Sequence, residues 1–381
     1  MVKEMVESRK ESEQLSAVKV VDADAHVEES TATWEFLDPD FYAQRPLPIL
    51  IEDKNTRYGR LNAMWLIEGQ VHPKTAGPGY HIFITPPISE WAKSKSVSIG
   101  AQTLTDVPAR LADMDRLGIE LQVVFPTAFL VPLCDDLKLE KALCQSYNRF
   151  MADACKKSGG RIFFAAVMPQ RDMKDAVEVV QEAKKLGAVA AMTLGLNWDK
   201  TLSDPNFFPL YEELSRLELP LVVHFGWGSP SFNHIANDLE NTLITASFPV
   251  LMGFYSMMAS GIYEQFPRLR VAFFEVGGGW LPWMMEQLER RYRSHTLPKL
   301  KRSPAELLQM GNIYLSVEPD ENLEPLLKHI SEEQLVTASD YPHEDPSSEE
   351  DMVGEWMGRM ELPEATRKKI LSTNALRLYN L

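Results

Sequence analysis

Five residues able to bind a metal ion stand at the carboxyl ends of apolar runs. Asp24 and His26 end Val-Val-Asp-Ala-Asp-Ala-His, His224 ends Pro-Leu-Val-Val-His, Glu275 ends Val-Ala-Phe-Phe-Glu, and Asp340 ends Val-Thr-Ala-Ser-Asp. In a barrel of parallel strands these ends meet at one mouth, where catalytic groups are placed. Carboxylates and imidazoles are the usual protein ligands of Zn²⁺, Mn²⁺ and Fe²⁺. The spacing therefore predicts a metal centre at the mouth of a barrel.

The first run carries two carboxylates and an imidazole at alternate positions. Side chains alternate along a strand, so we expect Asp22, Asp24 and His26 to share one face, the barrel interior. Burying these groups together without a cation would be very costly. Alternatively, Asp22 and Asp24 satisfy buried backbone groups or cap a turn. The ligands on the other strands favour the metal, and two imidazoles with three carboxylates can hold one ion, or two ions bridged by a carboxylate.

Other residues near the strand ends are candidates for proton transfer. Asp340, in Ser-Asp-Tyr-Pro-His, is expected to bind metal or act as general base, and His343 to donate a proton or support a ligand. His234, in the loop after the fifth strand, is a candidate to reach the substrate; otherwise it is a surface histidine. Glu29 and Glu318 are candidates to hold the metal ligands in place.

The long segment after the first strand carries two arginines of interest. Arg57 and Arg60 could meet a substrate carboxylate, although a surface position is the simpler expectation. Several aromatic side chains lie near the predicted mouth of the barrel. We expect some of them to line an apolar pocket and others to pack in the core. These aromatic residues are Trp34, Phe225, Trp227, Trp280 and Trp283.

Eight apolar, strand-like runs alternate with helical patterns along the chain. They cover residues 19–24, 120–126, 161–167, 188–194, 220–224, 270–275, 312–317 and 334–340. Such runs are typical of parallel strands buried on both faces, and eight β/α repeats predict a (β/α)8 TIM barrel. The alternative is a doubly wound open sheet. No glycine-rich phosphate loop follows the first strand, which weakens that alternative.

Outside this pattern lie a short arm and a long insertion. Residues 1–17 are polar and charged, which predicts a flexible arm before one domain over residues 18–381. Residues 27–106 are too long for one crossover, so we expect an insertion that forms a lid or binding loops.

Composition excludes several classes of protein. The 381 residues carry a formal charge of -15 without a basic stripe, so no nucleic-acid partner is expected. No apolar h-region precedes the first strand, and no run of about 18 apolar residues occurs, so neither a signal peptide nor a membrane span is expected. Cys134, Cys144 and Cys155 form no CxxC pair and are expected to be buried thiols in the cytoplasm.

The chain resembles the metal-dependent amidohydrolase superfamily, and more closely its amidohydrolase-related branch, which includes aromatic-acid decarboxylases and hydrolases. The motifs that carry the resemblance lie at residues 22–26, 110–119, 222–224, 266–282, 339–343 and 374–379. The resemblance implies metal ligation by Asp24, His26, His224 and Asp340. Two positions depart from the family pattern: Asp24 replaces a frequent histidine, and Glu275 stands where decarboxylases usually have one.

Three functions fit these residues. We expect first a hydrolase of an amide, ester, thioester or activated carbon–carbon bond, because a metal lowers the pKa of its water and Asp340 can take the proton. The replacement of a histidine by Glu275 favours this function. The alternatives are a nonoxidative decarboxylase of an aromatic or enoic acid and a metal-stabilised binding protein without turnover. A small-molecule substrate and a homo-oligomer, most simply a dimer, are expected.

Overall fold

Eight parallel strands form a sheet in which each strand pairs with the next one in the barrel series. The computed structural model of the chain describes residues 19–51, 59–74, 81, 84–234, 243–344 and 348–381. The strands β1 to β8 are Val21–Val27, Leu121–Pro126, Ile162–Ala166, Ala190–Leu194, Leu221–His224, Val271–Phe273, Ile313–Ser316 and Leu335–Val336. Ala23 donates its backbone N–H to Thr337 at 3.1 Å, which joins the first strand to the segment after the last. The predicted (β/α)8 barrel is confirmed.

Helices cover the outside of the sheet. The six longest, α1 to α6, are Val107–Arg116, Leu137–Lys157, Met173–Leu186, Phe208–Leu217, Phe248–Ala259 and Leu281–Arg293. Shorter helices are Ile262–Gln265, Pro304–Leu308, Leu323–Leu326, Met352–Gly358, Glu364–Lys368 and Asn374–Tyr379. α3 is capped at both ends, because Asp172 accepts hydrogen bonds from Lys174 and Asp175 and Gly187 adopts a φ of 102°.

The apolar core has two layers separated by the strands. One set of side chains, which includes Val123, Met192 and Val222, points into the barrel. The alternate residues, such as Val124 and Val223, pack outward against the helices. The interior set forms an apolar barrel floor below the polar residues at the strand ends.

The insertion comprises residues 28–106, since β1 extends to Val27. It contains the helices Thr31–Trp34, Glu90–Ser94 and Ile99–Gln102, and an antiparallel sheet of Leu47–Leu50, Ala63–Ile67 and Gln70–His72. Trp65 and Ile67 of the middle strand are buried against Trp227 and against Val131 and Leu133, which follow β2. The insertion therefore packs on loops at the carboxyl ends of the barrel strands.

The predictions for residues 1–17 and for Arg57 lie outside the described residues. None of the helices in the described ranges is long and apolar enough to cross a membrane. The three cysteines are free thiols; Cys134 and Cys144 are buried, whereas Cys155 is only partly buried, contrary to the expectation that all three are buried.

Candidate metal centre

Four of the five predicted ligands surround one point at the mouth. Asp24, His26, His224 and Glu275 each offer a ligand atom within 4.8 Å of the others, and all four are buried. His224 Nε2 lies 3.1 Å from Asp24 Oδ2 and 3.4 Å from Glu275 Oε2. Asp340 Oδ1 lies 3.3 Å from His26 Nε2, so the fifth residue adjoins the same imidazole.

These spacings fit a shared divalent ion. Two ligand atoms that are each about 2.1 Å from an ion lie about 3.4 Å apart in tetrahedral geometry and about 3.0 Å apart in octahedral geometry. Distances from His26 Nε2 to Asp24 Oδ1 and Glu275 Oε2 are 3.5 and 3.8 Å. The buried His26 Nε2 has no hydrogen-bond partner, which leaves its lone pair available for an ion.

Both imidazoles are oriented through their second nitrogen. His26 Nδ1 lies 3.0 Å from the carbonyl of Pro126, and His224 Nδ1 lies 2.8 Å from that of Phe225. When Nδ1 carries the proton and donates it to the carbonyl, Nε2 is left free to bind an ion, as metal ligation requires. Burial, followed by the neighbouring His343 and His224, lowers the pKa of His26 well below its ordinary value.

His343 forms a second group with Asp340 and His26. Its Nδ1 lies 2.9 Å from Asp340 Oδ1, and its Nε2 lies 2.9 Å from the hydroxyl of Thr127. Its ring lies 4.2 Å from that of His26, measured between centroids. The hydroxyl of Ser348 donates to the other Asp340 oxygen at 3.2 Å. Both Asp340 oxygens therefore already accept hydrogen bonds.

Two of the acidic residues have strained backbones. Glu275 has a φ of 60° and Asp340 a φ of 54°, in the left-handed region that non-glycine residues rarely occupy. Phe274 points into the barrel, so a regular strand would direct Glu275 outward; the turn brings it to the cluster instead. Ser316 accepts the Glu275 backbone N–H at 3.0 Å and helps to hold this turn. Such strain is concentrated at functional sites.

The prediction that Asp22 shares a face with Asp24 and His26 is wrong. Val21 and Ala23 occupy the interior, and the pairing with β2 shifts register between Asp22 and Ala25. Asp22 instead accepts hydrogen bonds from Ser339 and from Gln122 Nε2, the latter at 2.8 Å. Burial, partly opposed by these donors, raises its pKa to about 6. The register shift is what carries Asp24 and His26 to the mouth.

The other candidates for proton transfer or ligand support are dispersed. His234 is exposed at the end of the short turn Pro230–His234 and belongs to neither ligand group. Glu29 is buried and accepts the Ala128 backbone N–H at 2.7 Å. Glu318 follows β7, where burial and then Glu321 and Asp340 raise its pKa to about 8.

The other predicted placements agree with the structure in part. Arg60 is exposed, as the simpler expectation has it, and lies over the ring of Trp91. Trp283 is 61% exposed on α6, so its prediction as a mouth residue is wrong. Trp280 packs on Phe254 and Phe273, outside the barrel. The apolar spacing of α6 does not distinguish a residue facing the core from one at the edge of the apolar stripe.

Sequence reasoning missed Thr127, Ser348 and a buried lysine. Thr127 directly follows β2, so its place at a strand end was a usable signal. Lys95, in the insertion, is buried and bonds Glu28 at 3.1 Å and the Pro342 carbonyl at 2.8 Å. It ties the insertion to the loop that carries His343, a contact between distant segments that local spacing does not reveal.

Comparison with known proteins agrees with this architecture. The family described as amidohydrolase matches residues 21–381. A gamma-resorcylate decarboxylase of Rhizobium sp. (strain MTP-10005) is 27% identical over 71% of this chain and 86% of its own. A solved amidohydrolase from Mycobacterium avium subsp. paratuberculosis superposes with a TM-score of 0.77 at 19% identity, over 96% and 98% of the two chains. The solved 5-carboxyvanillate decarboxylase of Novosphingobium aromaticivorans contains manganese and 4-hydroxy-3-methoxy-5-nitrobenzoic acid. It superposes with a TM-score of 0.68 at 18% identity, over 96% of this chain and 97% of its own.

Proposed function

The chain belongs to the amidohydrolase family, and we propose that it catalyses the nonoxidative decarboxylation of an aromatic acid. This replaces hydrolysis as the leading function. The observation that carries the proposal is that the relative from Rhizobium, matched over 86% of its length, is a decarboxylase. The mouth of this chain offers the buried carboxylates and imidazoles that such a reaction would use.

Asp24, His26, His224 and Glu275 would hold a divalent ion, with Asp340 adjoining it. Manganese is the first ion to test, because it occupies the decarboxylase from Novosphingobium, while Zn²⁺ and Fe²⁺ suit the same donors. When bound, the ion would supply positive charge to a substrate carboxylate and a neighbouring substrate hydroxyl, both of which would coordinate it. One ion accounts for the first four residues; because His26 Nε2 has a single lone pair, a second ion would draw on Asp340 and His343 together with a bridging carboxylate.

Decarboxylation requires a proton at the carbon that loses the carboxylate. The carbon–carbon bond breaks, its electron pair stays on the ring carbon, and that carbon takes the proton as CO2 leaves. We assign the transfer to Asp340, with His343 able to resupply the proton across the 2.9 Å contact between them. Thr127 holds the other nitrogen of His343 and thereby orients its ring.

Hydrolysis is the second candidate, and Glu275 is the observation that favours it. A carboxylate at this position can support a second ion or a nucleophilic water. Against hydrolysis, the relative from Rhizobium is a decarboxylase.

A substrate panel separates the two reactions. Protein loaded with Mn²⁺ is incubated with 2,6-dihydroxybenzoate, 5-carboxyvanillate and related aromatic acids, and in parallel with aryl esters, amides and lactones. We expect CO2 release from at least one hydroxylated aromatic acid, and none from the same protein carrying His224→Asn. Hydrolysis of an ester, amide or lactone without any CO2 release would reverse the order of the two candidates.

Two further properties are proposals. A homo-oligomer, most simply a dimer, is measurable by sedimentation velocity, and a single species at the monomer mass of 43.2 kDa would contradict it. We also propose that the protein acts in the cytoplasm, where its three thiols would stay reduced. Fractionation of the source cells with a specific antibody would test that location.

A further inference from the structure

A cavity of about 270 Å³ lies between the insertion and the loops that follow β2, β4 and β5. Its insertion side is formed by the end of the three-stranded sheet, including His72. Its barrel side is formed by residues 131–135, Trp198 and Trp227. The volume exceeds that of several water molecules, so the cavity is large enough for an organic group.

His72 is the polar group that requires explanation. Its side chain lines the cavity and the residue is 8% exposed, yet neither ring nitrogen has a hydrogen-bond partner among the residues that the structure describes. Leaving a buried polar group unpaired costs free energy that a bound partner would recover. Burial, followed by the charge of Lys74, lowers the pKa of His72 to about 4. The ring is therefore neutral at pH 7, with one N–H donor and one acceptor.

The remaining walls favour a flat, uncharged ligand. Trp227 is 3% exposed and its ring lies 6.2 Å from that of His81, which in turn lies 5.6 Å from His72. Val131 and Leu133 add aliphatic surface on the barrel side. Aromatic rings stack favourably on such surfaces and tolerate one polar substituent that finds a hydrogen bond.

The described residues that line the cavity carry one charge of each sign. Lys74 and Asp135 both line it, and both residues are exposed. One positive and one negative group leave no net attraction for an ion of either sign. An anionic ligand would therefore find its binding energy at the metal centre and not here.

The cavity and the metal centre share the same face of the barrel. Trp227 follows the candidate ligand His224 by three residues in the loop after β5. Residues 131–135 continue the loop that begins at Thr127, which contacts His343. A substrate whose carboxylate sits at the cluster could thus extend toward the insertion.

We propose that this cavity binds an uncharged, hydroxyl-bearing aromatic group, with His72 as its hydrogen-bond partner. The assignment of that group to the substrate, as the end remote from the carboxylate, rests on the proposed function. The insertion would then set specificity for extended aromatic acids, while the metal centre performs the chemistry.

Binding of neutral probes tests the pocket without any turnover. The affinities of 4-ethylphenol and ethylbenzene for the whole protein are measured by ligand-observed NMR titration. We expect 4-ethylphenol to bind at least about fivefold tighter, the effect of one net hydrogen bond. His72→Leu should abolish that preference while leaving ethylbenzene within about twofold, which also shows that the pocket remains folded.

Two further variants control this result. His72→Asn keeps a donor and an acceptor and should retain much of the preference. His329→Leu makes the same chemical change before β8, at a residue that does not line the cavity, and should leave both affinities unchanged. Equal binding of both probes by the wild-type protein, absence of binding, or an unchanged preference in His72→Leu would each overturn the proposal.

A second experiment tests the assignment to the substrate. For an aromatic acid with a remote hydroxyl, His72→Leu should raise KM at least about fivefold with kcat within about twofold, because the lost contact is shared by ground and transition states. A loss in kcat alone would overturn the assignment. If no acid is decarboxylated at all, the proposed function fails, and the probe titration still decides whether the pocket exists.

Discussion

Replacing Glu275 by glutamine tests the least expected member of the metal centre. The amide keeps the shape of the side chain and removes its charge. Glu275 Oε2 lies 3.4 Å from His224 Nε2 and 3.8 Å from His26 Nε2, the spacing of ligands that share an ion. We therefore expect the substitution to weaken metal binding rather than to unfold the protein.

The magnitude follows from the lost charge. Two unit charges about 4 Å apart interact by about 4 kcal/mol at an effective dielectric constant of 20; a bound divalent ion would interact more strongly with the carboxylate, and the amide oxygen, which can still coordinate, offsets part of the loss. A loss of between about 1.4 and 4 kcal/mol corresponds to metal binding weakened by about tenfold to about a thousandfold. Turnover should fall at least about tenfold at limiting metal. If Glu275 bridges two ions, the number of ions bound per chain should also fall from about two toward one.

Glu318→Gln is the matched control. This glutamate also lies at a strand end near the mouth, but its pKa is raised to about 8, mainly by burial. It is therefore mostly protonated at pH 7, and glutamine resembles that neutral form. Metal content is measured by elemental analysis after dialysis against limiting Mn²⁺, and turnover by CO2 release. Unchanged metal content and rate in Glu275→Gln would refute both its role as a ligand and the geometric argument for it.

Three further predictions address the centre, the buried charge and the arm. His224→Ala should abolish metal binding and activity together, and normal metal occupancy would remove His224 from the ligand set. Glu29 has its pKa raised to about 8 by burial, so wild-type stability should decline from about pH 4.5 to pH 8, as the folded state keeps a proton that the unfolded chain releases. Glu29→Gln should remove the part of this decline that Glu29 causes, while Asp22 and Glu318, whose pKa values are also raised by burial, keep theirs; an equal pH slope of melting temperature in both proteins would contradict the prediction. Deleting residues 1–15 should lower the melting temperature by less than about 5 °C; a larger fall would show that the arm docks.

The barrel could be predicted because its signals are local. The strands are short continuous apolar runs, and α3 begins and ends where Asp172 and Gly187 provide caps. The insertion was less predictable, since the sheet that buries Trp65 and Ile67 forms against loops after β2 and β5. Contacts of that kind depend on which segments meet in space, which periodicity does not encode.

The candidate ligands were found for a reason that is only partly correct. The rule that catalytic groups stand at strand ends identified Asp24, His26, His224, Glu275 and Asp340. Strict alternation of side chains along each strand, however, does not bring these five residues together. A register shift after Asp22 redirects the first strand, and left-handed backbone at Glu275 and Asp340 redirects two others. Each left-handed residue costs on the order of 1–3 kcal/mol, so surrounding contacts must enforce it. One such contact joins the Asp340 backbone N–H to the Asp24 carbonyl at 3.0 Å. This hydrogen bond between the first strand and the segment after the last thus also fixes the spacing of two carboxylates. The pattern of a single strand cannot predict it, because it joins residues that are far apart in the sequence.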